Sequence, residues 1–159
     1  MKLARLWRLV RVSGCSGPST RSATGSSAAN WSRAVAALLR IRERKFGADF
    51  PDTLVTRFNL ACWTGRAGGA AAARDQVAAL QPVRERVSGP DHPDTLAARE
   101  ELAYWTGCAG AAAAARDQFA TLLPSYEKVL GPEHPDTLAV WYQLAHWTSL
   151  AGDEAITQD

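Results

Sequence analysis

Cysteine is scarce in this chain. Cys15, Cys62 and Cys108 are the only three in 159 residues, too few and too scattered for a disulfide framework or a zinc site. No apolar run is long enough to span a bilayer, and a cytoplasmic location is expected. β-Branched residues are few and isolated, whereas alanine is abundant, a composition that favours helix over strand. The Gly-Ala runs Gly68-Gly69-Ala70 and Gly110-Ala111 lack the Lys-Ser/Thr that a phosphate loop needs. No Ser-His-Asp set or carboxylate pair stands out, so no catalytic residue and no cofactor or metal site is expected. Acidic residues are missing altogether from residues 1–42, which carry eight basic ones. The remainder holds ten basic and sixteen acidic residues, a balance of −6 behind a total of +2. Arg5, Arg8 and Arg11 interrupt the apolar core that a secretory leader would require. Residues 1–27, rich in Ser, Gly and Arg, are expected to form a disordered arm. Within it Met1 to Val12 suits a basic amphipathic helix on an acidic surface.

What the chain has instead is a period. Pro51-Asp52-Thr53-Leu54 recurs as Pro93-Asp94-Thr95-Leu96 and as Pro135-Asp136-Thr137-Leu138, 42 residues apart each time. Gly47, Gly89 and Gly131 precede the phrase. Leu60-Ala61, Leu102-Ala103 and Leu144-Ala145 follow it, then Trp63, Trp105 and Trp147, then Gly68, Gly110 and Gly152. A fixed period of this length marks stacked repeats, each of which buries its apolar face against its neighbours. The boundaries this gives are a partial unit at 28–46, full units at 47–88 and 89–130, and a truncated unit at 131–159.

Each unit reads as two helices. The leading glycine ends one helix in a left-handed cap. The proline opens the next at its first position, and the following aspartate complements the helix dipole. This helix A is expected over 51–65, 93–107 and 135–149. Helix B starts in the Ala runs at 70–73 and 111–115 and continues to Val87 and Val129. Pro82 and Pro124 fall inside it and should each remove a backbone bond and kink it. Residues 33–46 match helix B of an earlier unit, giving the order B0–A1–B1–A2–B2–A3.

Leu60-Ala61…Gly68…Ala73…Val77, Leu102-Ala103…Gly110…Ala115…Phe119 and Trp141-Tyr142-Gln143-Leu144-Ala145 resemble the tetratricopeptide repeat. The loop Gly-Pro-Asp/Glu-His-Pro-Asp is similar to its longer, 42-residue kinesin-light-chain type, which also occurs in bacterial proteins. Arg57 and Arg99 depart from the pattern where an aromatic is usual, as do Thr64, Thr106 and Thr148 in place of tyrosine. The resemblance implies a short right-handed α-solenoid of antiparallel helix pairs, a protein-interaction role without enzymatic chemistry, and a concave groove lined by helix A. A HEAT-like helical repeat is the alternative fold that the period alone would also suit.

His92 and His134 lie in His-Pro-Asp tripeptides, but these recur with the period and Phe50 replaces His in the first copy. A capping role is expected for them. The tryptophans are the same in every unit, which points to framework packing. Helix A positions that differ between units are free to read a partner. One such row, spaced by four residues to share a face, is Phe58, Cys62 and Arg66, then Glu100, Tyr104 and Cys108, then Tyr142, His146 and Leu150. In tetratricopeptide arrays these positions line the groove that holds an extended peptide or a helix. Phe58, Tyr104 and Tyr142 would supply contact area, while Arg66, Glu100 and His146 would set charge preference. Two alternatives stand beside this reading: contact with nucleic acid or an acidic surface through the basic arm, and a remnant of a larger repeat protein. Self-association through the C-terminal repeat is also expected, since helix A3 carries Leu138, Val140, Trp141, Leu144 and Trp147 with no helix B after it.

Overall fold

The computed structural model describes residues 24–156, and the side chains of 33–152. It contains six helices: α1 (Thr24–Phe46), α2 (Pro51–Arg66), α3 (Ala70–Ser88), α4 (Pro93–Cys108), α5 (Ala112–Leu130) and α6 (Pro135–Ile156). No strand occurs among the described residues. Each helix packs on the next in sequence, and α2 also touches α4 as α4 touches α6. The array is an all-α solenoid in which α2, α4 and α6 are the A helices and α1, α3 and α5 the B helices. The arm expected at 1–27 lies outside the described residues, except that 24–27 open α1.

The junctions follow from local chemistry. Gly47, Gly89 and Gly131 sit at φ of 92°, 93° and 93°, a region in which a side chain is strained. After each comes the turn into the next A helix, with proline at its start. His92 Nδ1 accepts a hydrogen bond from the Asp94 amide at 3.1 Å, and His134 Nδ1 one from the Asp136 amide at 3.2 Å. The two imidazoles thus satisfy first-turn donors that would otherwise be orphaned. Phe50 cannot do this, and stacks instead on Phe46 with ring centroids 5.2 Å apart. Pro82 and Pro124 lie within continuous helices α3 and α5.

One expected boundary is not kept. Gly68 and Gly110 turn left-handed and end α2 and α4, whereas α6 runs through Gly152 to Ile156. The first two are followed by a B helix that doubles back on its partner.

The layers interlock through tryptophan on glycine. A Cβ added at Gly65 would stand 2.5 to 2.7 Å from three ring atoms of Trp105. The same relation, one period on, holds between Gly107 and Trp147. Trp105 and Trp147 are buried, and each joins an interlayer cluster: Ala61, Ala73 and Val77 surround the first, while Ala103, Ala112 and Phe119 belong with the second. Both indole N–H groups are buried without a partner, a cost that the ring-on-backbone contact offsets. Framework packing is therefore the role of these tryptophans.

Gly107→Ala should overpack the α4–α6 contact and destabilise by about 1–3 kcal/mol, despite the better helix propensity of alanine. Gly152→Ala, with nothing within 4 Å of the added methyl, should instead stabilise by up to about 1 kcal/mol. Urea unfolding of both variants checks the opposite signs.

Candidate concave binding face

The face of each A helix can be assigned from what its side chains touch. On α4, Trp105 lies toward α2, and Leu96 and Ala103 pack into the cluster supplied largely by α5. Arg99 Nη2 donates to Glu85 of α3 at 2.7 Å. The face left over holds Ala97, Glu101, Tyr104 and Cys108, at helical spacings of four, three and four. The matching positions are Val55, Asn59, Cys62 and Arg66 on α2, and Ala139, Gln143, His146 and Leu150 on α6. Because the A helices lie side by side through their Trp–Gly contacts, these three sets adjoin one another.

Of the row expected from sequence, Cys62, Arg66, Tyr104, Cys108, His146 and Leu150 fall on this face. Cys62 is buried, and Arg66 is half-buried with its guanidinium 5.5 Å from the Trp63 ring centroid. Tyr104 is half-buried and meets Trp105 and Trp147 edge-on, at 4.9 and 6.4 Å. His146 meets Trp147 in the same manner at 5.0 Å. Cys108 is half-buried beside them.

Phe58, Glu100 and Tyr142 turn about a quarter-circle away, toward the B helix that follows. There Phe58 and Glu100 pair with one repeat position of helix B. The Arg84 guanidinium stands 4.8 Å from the Phe58 ring centroid. One period later Tyr126 donates its hydroxyl proton to Glu100 Oε2 at 2.9 Å. Glu100 is 3% exposed and Tyr126 1%. Arg84 is also deeply buried, and burial lowers its pKa against the opposing pull of Asp94. Its Nη1 donates to the Asp94 carbonyl at 2.9 Å, as Arg42 Nη1 does to the Asp52 carbonyl at 2.8 Å. Tyr142 has no described helix B beyond it and is 66% exposed.

Sequence reasoning passed over Asn59, Glu101 and Gln143. They occupy one repeat position, differ in every unit and stand on this shared face of the A helices. The signal that finds them is the position of tryptophan: they lie four residues before Trp63, Trp105 and Trp147. Glu101 is buried at 7% exposure, while its neighbour Glu100 points to α5 and Tyr126. Among the described residues no cluster of His, Cys, Asp and Glu is arranged to hold a metal ion, and no helix is long and apolar enough to cross a membrane.

A family model for the tetratricopeptide repeat matches residues 95–136, one full period from α4 to the start of α6. No curated protein matches the chain. Among solved structures, the kinesin-light-chain-type, nearly identical TPR-like repeats of Podosopora anserina share 20% identity at a TM-score of 0.69. That match covers 81% of this chain, which spans 65% of the other. A singly substituted form of the same repeats gives 18% identity and a TM-score of 0.67, over 97% of this chain and 76% of that one. Residues 95–136 thus match the tetratricopeptide-repeat model, and the fold of the chain is similar to that of the kinesin-light-chain-type TPR-like repeats.

Tyr126→Phe should destabilise by about 1–3 kcal/mol, since it strips the buried Glu100 of a donor. Combined with Glu100→Gln in a double-mutant cycle, the pair should show a coupling of about 0.5–3 kcal/mol. Chemical denaturation of the four proteins measures it.

Proposed function

We propose that this chain is a non-enzymatic protein-interaction module of cytoplasmic location, which holds an extended peptide or a helix along the concave face of its A helices. The observation that carries this is the contrast between frame and face. Trp, Gly and the Pro-Asp-Thr-Leu phrase repeat unchanged, while the triplets 59/101/143, 62/104/146 and 66/108/150 change chemistry in each unit. A frame of identical contacts that carries a varied face on its A helices suits recognition of one asymmetric guest. Tyr104 and Tyr142 would supply aromatic contact, and Arg66, Glu101 and His146 would set charge and register. Phe58, Cys62, Glu100 and Cys108 complete the groove as its floor and flank.

A second reading concerns α6. Leu96 is fully buried, yet Leu138 at the same repeat position is 54% exposed, as Trp141 is at 56%. The residues that α5 covers on α4 are thus open on α6. As it stands, the chain should self-associate through this face. Appending a polar helix after Asp159 should then reduce association, which light scattering across a concentration series would follow.

Selection of peptides from a display library on the full chain tests the groove. Tyr142→Ala removes an exposed ring, and should weaken the selected peptides by about 1–2 kcal/mol without lowering the melting temperature. Tyr104→Ala should lower both, because that ring also packs against two tryptophans. Peptides whose affinity ignores both substitutions would place the binding surface elsewhere.

A further inference from the structure

The repeats show what belongs on the open face of α6. Helices α2 and α4 are each followed by a B helix, and α6 has none among the described residues. Leu54 and Leu96 are 3% and 0% exposed, whereas Leu138 at the same repeat position is 54% exposed. Phe58 lies under the Arg84 guanidinium, whereas Tyr142 at its position is 66% exposed. Asp49 and Asp91 accept from Arg86 and Lys128 of the B helix that follows them, whereas Glu133 at their position is exposed ahead of α6. Helix α1 has the converse deficit. It is a B helix with no A helix described before it. Leu80 and Leu122, each between two A helices, are 5% and 4% exposed, while Leu38 one period earlier is 44% exposed. Arg42 and Arg44 of α1 hold the positions of Arg84 and Arg86.

We propose that α6 of one chain receives α1 of a second copy, in the place that α3 takes on α2 and α5 on α4, so that chains stack head to tail. This rests on the reading of α6 as an association face, and names its occupant. The pairs that close the joint already exist within the chain. Arg42 of the second copy meets the Tyr142 ring as Arg84 meets Phe58. Its other contact already matches, since Arg42 donates to the Asp52 carbonyl as Arg84 does to that of Asp94. Arg44 of the second copy meets Glu133 as Arg86 meets Asp49 and Lys128 meets Asp91. Leu38 and Leu138, each open alone, are covered together. One internal contact is not reproduced. Ser149 stands where Gly65 and Gly107 receive the ring of the next layer, so Trp63 of the second copy has no such seat. In sequence Trp31 likewise replaces the alanine of positions 73 and 115. The joint therefore closes at the end that holds Leu38, Arg42 and Arg44, and is looser than an internal layer. The contact is heterologous, so each added copy presents a fresh α6.

Mixing two variants of the full chain tests this. Leu38→Glu spoils the α1 side of the joint and keeps α6 intact, and Leu138→Glu does the reverse. Both residues are exposed, so each variant should melt as the wild type does. In sedimentation equilibrium across a concentration series, the mass of the wild type should keep rising past that of a dimer. Each variant alone should stay monomeric, because the joint would bury an unpaired carboxylate. Their equimolar mixture has one intact joint, and should stop at a one-to-one dimer. Arg44→Glu and Glu133→Lys repeat the design without an apolar change, and decide the matter if a leucine variant fails to fold. Each should weaken association by about two- to fivefold alone, and their mixture should recover one joint of wild-type strength. A Leu38→Glu chain that associates like the wild type, or a mixture that stays monomeric, overturns α1 as the occupant. A dimer of α6 on α6 gives the first of these results, and leaves α6 as an association face. A Leu138→Glu chain that associates like the wild type, or a wild type that is monomeric throughout, removes that reading and the proposal together.

Discussion

The structure hangs on the contact between a tryptophan and the glycine one layer below. Trp105 lies across Gly65 and Trp147 across Gly107. An indole ring fits there only because no Cβ intervenes, and only a large flat side chain fills the gap that the missing Cβ leaves. The contact sets the distance between successive A helices. Once that is set, the B helices have one place to go, and the remaining interlayer links fall into register. Arg57 meets Glu43 as Arg99 meets Glu85, and Arg86 meets Asp49 as Lys128 meets Asp91. These are surface pairs of small individual worth. Their recurrence at the period reports the regularity of the stack more than it causes it.

The frame is legible in the sequence because every element of it is written more than once. Helix-ending glycines, helix-opening prolines and imidazole caps each have an independent copy, and a feature that recurs at a fixed spacing has a structural reason at each site. Helix A2 therefore falls within a residue of its expected end. Where there is no second copy, the sequence is a weaker guide. Gly152 aligns with Gly68 and Gly110, yet it stays within α6, so the glycine alone does not fix the left-handed turn. The expected helical kinks at Pro82 and Pro124 concern residues that α3 and α5 carry without interruption.

The binding face is legible only in part, and the reason is physical. Difference between units signals partner contact, but two forces generate such difference. One is exposure on the concave side, which frees a position to vary. The other is exchange between two positions that vary together, so that their contact is preserved. Phe58 with Arg84 and Glu100 with Tyr126 belong to the second kind: a ring under a guanidinium in one unit becomes a carboxylate under a phenol in the next. Both pairs are internal to a repeat, and both members differ. Sequence comparison of one helix at a time cannot separate these cases, whereas comparison of helix A with helix B at a fixed offset of 26 residues does.

How the surface can change follows from the same division. In a solenoid each unit contacts only its neighbours, and stability is close to a sum of local terms. Asn59 and Gln143 lie outside the A–B pairing, so substitutions there strand no buried partner, whereas Cys62 and Glu101 are buried and Tyr104 packs on two tryptophans. Positions 58/100/142 lack that freedom wherever a helix B follows, since a lone change strands its buried partner. Tyr142, with no described partner helix, is the exception in this chain and varies at no such cost. Glu101 sits between the two regimes. It stands on the shared face of the A helices, yet at 7% exposure it is placed as deeply as the residues of the frame, so a change there alters packing together with the surface.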